Sequence, residues 1–217
     1  GTPAQQGQWG PLLEWGIQGK HMVQLHTGDV LVWSTGENAR VWDPETGGFT
    51  LVPATFGDLH CAGHVTLPDG RVIVLGGVNG DPHIGTTITA LFDPIAMRWT
   101  LGRPMNFARW YASVTALPDG RVLVSSGDNG TGERVLTPEI YDPVTNTWVV
   151  LTGAVRDQSL YPLMYVLPDG RVFESGPKTS TAFLNMNGSG SWTSGPPNLY
   201  STSGYSESSV MYGPGKI

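Results

Sequence analysis

Short apolar runs recur along this chain, each preceded by a turn rich in Gly, Pro and Asp. Val72-Ile73-Val74-Leu75 follows Pro68-Asp69-Gly70, and Val122-Leu123-Val124 follows Pro118-Asp119-Gly120. Val30-Leu31-Val32-Trp33 follows Thr27-Gly28-Asp29. A run with no polar position predicts a strand buried on both faces. The Gly of each turn supplies a positive φ, so each turn is expected to join two antiparallel strands as a hairpin.

The runs belong to a repeat. Leu-Pro-Asp-Gly-Arg-Val occurs at 67–72, 117–122 and 167–172, a spacing of 50 residues both times, with a weaker copy at His26–Val30. A second marker follows the first three copies: Trp42-Asp43-Pro44, Phe92-Asp93-Pro94 and Tyr141-Asp142-Pro143. Six residues beyond each Asp stands an aromatic, Phe49, Trp99 or Trp148. The fourth copy keeps Phe183-Leu184-Asn185 and Trp192. The second marker predicts a second hairpin. Two hairpins in about 50 residues make a four-stranded unit, the size of one blade of a kelch-type β-propeller.

The expected fold is therefore all-β, with blades at roughly 8–58, 59–107, 108–158 and 159–207. Residues 208–217 read as the first strand of a fifth blade. Four blades and one strand do not close a wide ring, so the sequence reads as the N-terminal portion of a longer propeller. Its missing C-terminal remainder is then a partner of this piece, which is expected to be unstable and inactive by itself.

Composition supports this and excludes other classes. The 217 residues include 30 Gly and 17 Pro, more than a fifth of the chain, which argues against long helices. Apolar residues make up 39%, with 8 Trp, too many for a disordered chain. Net charge is −6 and no basic run occurs, so no nucleic-acid partner is expected. No stretch is apolar for long enough to span a membrane. Gly1–Gln6 lacks the basic and apolar parts of a signal peptide but fits the end left after cleavage of one, so the chain reads as secreted. Cys61 is the only cysteine, which rules out a disulfide within the chain.

Aligning the copies on Leu-Pro-Asp-Gly-Arg-Val exposes one position, seven residues before the Pro: Cys61, Tyr111 and Tyr161. Equivalent positions of successive blades lie around one ring about a propeller's axis. A residue at the start of the innermost strand faces a mouth of the channel. Cys61 and Tyr111 are thus expected as neighbours on adjacent blades. His60, Cys61 and His64 also spell a short metal-like pattern, but His60 and Cys61 would point to opposite sides of a strand, and no second ligand cluster exists. The Asp of each turn (Asp69, Asp119, Asp169) reads as turn chemistry.

Asp58-Leu59-His60-Cys61-Ala62-Gly63-His64 and Met105-Asn106-Phe107-Ala108-Arg109-Trp110-Tyr111, each followed by the repeated turn, resemble the cysteine and tyrosine segments of the radical copper oxidases, the family of galactose oxidase and glyoxal oxidase. Gln8-Trp9-Gly10-Pro11, Val172–Pro177 and Ser208–Ile217 continue the likeness in order. The resemblance implies a seven-bladed ring and a thioether between Cys61 and Tyr111. In that family the linked tyrosine is a copper ligand and holds a radical. The implied reaction oxidises a primary alcohol, an aldehyde or a carbohydrate with O2 and yields hydrogen peroxide. The implied metal ligand here is Tyr111, the other copper ligands being expected beyond Ile217. Arg109, Trp110 and Tyr161 are candidates for a supporting shell, Arg109 by hydrogen bonding to the site or by pairing with an acid of the next blade. The tryptophan that covers the linkage in galactose oxidase falls near Asn129 here. The alternative reading is a non-catalytic kelch propeller that binds a protein or glycan through its loops.

Overall fold

The structure is a computed structural model, and it describes residues 2–199 and 208–217. The last eight positions expected in the fourth unit, 200–207, lie outside the described residues. The first unit contains β1 (His21–Gln24), β2 (Val30–Trp33), β3 (Arg40–Trp42) and β4 (Phe49–Leu51). The second contains β5 (Gly63–Thr66) and β6 (Val72–Leu75), a small hairpin of β7 (Val78–Asn79) and β8 (Asp81–Gly85), then β9 (Thr89–Asp93) and β10 (Arg98–Leu101). The third holds β11 (Ser113–Ala116), β12 (Val122–Ser125), β13 (Glu139–Asp142) and β14 (Thr147–Val150). The fourth holds β15 (Leu163–Val166), β16 (Val172–Gly176), β17 (Ala182–Asn185) and β18 (Ser191–Ser194). Each unit is one four-stranded antiparallel meander, and β7–β8 forms a separate two-stranded sheet. The only α-helix among the described residues is Pro3–Gln6.

The unbroken apolar strands are explained by what covers them. Val72 and Val74 pack with Leu31, Trp33 and Val41 of the first sheet. Ile73 and Leu75, the alternate residues of the same strand, pack with Val122, Val124 and Tyr141 of the third. Leu123 and Ile140 in turn meet Val172 and Leu184 of the fourth. The second strand of each inner sheet is therefore buried on both sides, and the sheets stack face to face in chain order. Strand β11 lies against both β5 and β15. The first strands of the second, third and fourth sheets thus line a common inner edge, a propeller-like arrangement.

Both repeated markers have a mechanical role. Asp69, Asp119 and Asp169 each accept the backbone N–H of the Arg two residues on and form a two-point ion pair with its guanidinium. The carboxylates of Asp43, Asp93 and Asp142 cap the second turns by accepting two backbone N–H groups each. The aromatics beyond them join neighbouring sheets: the indole N–H of Trp99 donates to the carbonyl of Val52 (2.7 Å), that of Trp148 to Arg103 (2.8 Å), and that of Trp192 to Ala154 (3.0 Å). Phe49, in the first unit, has no such donor and packs edge-on against Trp15.

Residues 208–217 form a tight turn, closed by Tyr212 N–H to Lys216 O and Lys216 N–H to Gly213 O. It is tied to the fourth sheet through Tyr165, whose hydroxyl donates to the Ser209 carbonyl at 2.6 Å.

Candidate active site

Cys61, Tyr111 and Tyr161 do not begin the inner strands. Each sits two residues before one, in a turn ahead of β5, β11 and β15. All three have left-handed backbones, with φ of 58°, 61° and 45°. This conformation is uncommon for a residue with a Cβ. Its recurrence at one repeat position means that the fold requires it. The three are linked directly: Tyr111 N–H donates to Cys61 O (3.1 Å), and Tyr161 N–H donates to Tyr111 O (2.9 Å). The cross-sheet neighbourhood expected from the repeat is thus present, and the positive φ is what the strand reading missed.

The side chains converge as well. The Cys61 thiol is free and buried, and its side chain hydrogen-bonds with that of Tyr111. Burial pushes the thiol pKa up, partly offset by that hydrogen bond. Tyr111 is sandwiched. Trp110 stacks on it with ring centroids 3.7 Å apart and planes 12° from parallel, and Tyr161 stacks at 4.6 Å and 27°. Two rings cannot share one face at such separations, so they cover both. Burial, and then the proximity of Cys61 and Tyr111, push the Tyr161 pKa far up, which keeps its phenol neutral. Asn129, where the sequence resemblance puts a covering aromatic, instead builds a turn: its side-chain oxygen accepts from the N–H groups of Thr131 and Glu133. Trp110, whose orientation sequence could not give, is the ring stacked most closely on Tyr111.

Arg109 is fully buried and pairs with Glu139 at 3.1 Å. Glu139 lies on β13, in the same sheet as the Tyr111 segment, so the expectation of an acid in the next blade is corrected. The reason is reach: the guanidinium also donates to the carbonyls of Ser126 and Thr137, which flank β12 and β13 of its own unit. Glu139 additionally accepts from the N–H groups of Asn106 and Phe107, binding the segment that leads to Tyr111. Glycines complete the clamp. A Cβ at Gly76 would collide with the carbonyl of Arg109, and one at Gly85 with the backbone of Arg109 and Asp128.

On the other side of Cys61 lies a group that sequence reasoning did not single out. Cys61 N–H donates to Nε2 of His21 at 3.0 Å. His21 stacks on Trp33 (5.0 Å, 16°), and His64 meets its ring edge-on at 5.6 Å. Burial above all, followed by His64, His60 and Lys20, pushes the His21 pKa down to about 4. No signal in the sequence ties His21 to Cys61, 40 residues away. A groove of about 480 Å³ runs along the inner strands between His21, His64, Ser113, Tyr161 and Met164. Among the described residues no group of three His, Cys, Asp or Glu side chains is gathered that could hold a metal.

No protein-family model matches the chain, and no curated protein matches it. Among solved structures it is similar to one described as a novel fungal alcohol oxidase with catalytic diversity among the AA5 family, in complex with copper. The identity is 24%, the TM-score 0.75, and the likeness covers 88% of this chain and 44% of that one. The chain thus shares a fold with less than half the length of that protein.

Proposed function

We propose that this chain carries the thioether-linked tyrosine of a copper-radical oxidase, with Cys61 and Tyr111 as the linked pair and four of the blades of a seven-bladed kelch propeller as its scaffold. The observation that carries the reading is the buried free thiol in side-chain hydrogen-bonding contact with a tyrosine whose two faces are covered. The shared fold with a copper-containing alcohol oxidase supports the same reading, as does the segment resemblance.

Linking the two forms a C–S bond and breaks one S–H and one aromatic C–H bond. Two electrons and two protons leave, and O2 takes them to become hydrogen peroxide. The donor set of this chain fits one part of a copper site. Tyr111 supplies a phenolate ligand, which suits Cu(II) by ligand type, and the proposal places the remaining ligands beyond Ile217. Bound copper supplies a one-electron couple beside the tyrosine, so that together they accept the two electrons of a primary alcohol or aldehyde. The chain's own residues do the rest. Cys61 sulfur enriches the Tyr111 ring and lowers its oxidation potential. Trp110 and Tyr161 exclude water from both faces of the ring. Arg109, Glu139 and the two clamp glycines fix the backbone that aims it. Secretion fits an oxidase that releases peroxide and is part of the proposal.

The test is mass spectrometry of the full-length protein, with the segment that follows Ile217, after exposure to Cu(II) and O2. The expected result is a loss of two hydrogen masses, a single crosslinked peptide containing Cys61 and Tyr111, and peroxide formation with primary alcohols or aldehydes. A Cys61 that remains alkylatable, with no peroxide from any such substrate, overturns the oxidase reading in favour of a binding propeller.

A further inference from the structure

The hydrogen-bonded row of left-handed residues has an irregular end. Tyr161 N–H is held by the carbonyl of Tyr111, and Tyr111 N–H by the carbonyl of Cys61. Each acceptor is the backbone of the equivalent residue in the preceding repeat. At Cys61 the pattern changes. The equivalent residue of the first repeat is Gly19, seven positions before His26, but the acceptor is the His21 imidazole. A side chain has replaced a carbonyl where the row reaches the thiol.

That imidazole is built for the task. An Nε2 that accepts an N–H carries no proton, so the ring is neutral with its hydrogen on Nδ1. Trp33 fixes the ring plane by stacking, and its own indole N–H donates to Leu59 O at 3.2 Å, two residues before Cys61. His64 closes the remaining edge and is itself held to the backbone of Met22. A left-handed non-glycine residue persists only where its surroundings over-determine it. At Cys61 those surroundings are His21 on the N–H and Tyr111 on the carbonyl.

We propose that His21 is a positioning residue for Cys61: as a hydrogen-bond acceptor it fixes the left-handed turn that aims the thiol at Tyr111 and so sets the rate at which the thioether forms. The part about the thioether rests on the oxidase reading above, whereas the part about the turn does not.

Three variants separate the roles. H21F keeps a ring against Trp33 but has no acceptor. H21L has neither. H21Q places an amide oxygen near the Nε2 position and restores the acceptor without an imidazole. Both measurements use the full-length protein, with the segment that follows Ile217: backbone amide exchange at Cys61 in its metal-free form, and thioether formation by intact mass after addition of Cu(II) and O2. Loss of one ordinary hydrogen bond corresponds to about tenfold, so H21F and H21L are expected to exchange the Cys61 amide about tenfold faster and to link about tenfold more slowly. The amides of Val65 and Thr66 in β5 are expected to keep their protection, and H21Q to track wild type in both measurements. Wild-type exchange in H21F and H21L overturns the proposal, and so does an H21Q that fails as they do. If H21F does not fold, H21L against H21Q decides. Absence of a thioether in the wild type overturns the oxidase reading alone, since exchange at Cys61 still reports on His21.

Discussion

His21 carries a cost in acid as well as a position. Its folded-state pKa lies near 4, against 6.5 for an ordinary imidazole. Between those values the unfolded chain binds a proton that the folded chain refuses. Stability conferred by the neutral ring is therefore complete above pH 6.5 and is lost as pH falls toward 4, at up to about 1.4 kcal/mol per pH unit and about 3 kcal/mol in all. His64, also pushed down by burial, acts in the same direction, and Glu174, pushed up by burial despite Arg156, acts in the opposite one. The informative quantity is thus a difference. Urea midpoints measured between pH 7 and pH 4.5 are expected to fall more steeply in wild type than in H21Q, and parallel slopes would show that His21 is not held neutral. Arg109 supplies a second test at this scale. Removing one partner of a fully buried ion pair strands the other, at a cost of about 3–5 kcal/mol. Glu139→Gln is expected to lower stability by that order and to release the Asn106–Phe107 backbone, seen as faster amide exchange there. A variant that melts like wild type would mean the pair is idle.

Elements are joined by the repeat's aromatics and separated by its glycines. Each indole of Trp99, Trp148 and Trp192 both packs and donates across to the preceding unit. Trp99→Phe keeps most of the packing and loses the donor to Val52, so a cost of about 1 kcal/mol beyond the small volume change is expected in thermal denaturation. Gly85→Ala is expected to be far worse than Trp99→Phe, because its Cβ would meet backbone rather than a movable side chain. Its effect should show at Tyr111, as slower formation of the proposed thioether. These two cases mark what could be read from sequence. The four-stranded units, their hairpin turns and the two-sided burial of β6 and β12 were legible because they repeat every 50 residues. The β7–β8 hairpin, the own-sheet partner of Arg109 and the His21 contact were not, because each occurs once and depends on a three-dimensional approach with no periodic trace. The pairing of Cys61 with Tyr111 was legible as a position, whereas the cover by Trp110 depended on a left-handed turn that strand alternation does not foresee.

At the scale of the whole molecule, the sheets show a rule that the last one leaves open. Residues at one register of the second and third strands face the following sheet: Leu31 and Val41, Ile73 and Leu91, and Leu123 and Ile140, all at most 4% exposed. The equivalents in the fourth sheet are Phe173 and Phe183, which lie 4.8 Å apart and are only partly covered. They line an open hollow of about 620 Å³ with Leu163, Leu167, Pro196 and Leu199, against which Ser208, Ser209 and Ile217 rest. Arg171 lies over the Phe183 ring at 4.5 Å, a partial screen rather than a core. By the register rule this is the face that no sheet covers among the described residues. An apolar face of this kind is sticky when bare. The 217-residue chain produced by itself is therefore expected to bind a hydrophobic dye and to self-associate with rising concentration. Phe173→Ser with Phe183→Ser is expected to weaken both effects. Because these side chains are not packed against a following sheet, the cost in stability should be well below the several kcal/mol of a true core truncation. The same pair of substitutions in a protein that supplies the following sheet should be severely destabilising, since there the phenyl rings would occupy the positions that Ile73 and Leu91 occupy in the second. Sedimentation and dye titration of the two forms decide it. Equal dye binding by the wild-type chain and the double variant would show that the fourth sheet's outer face is not the open one.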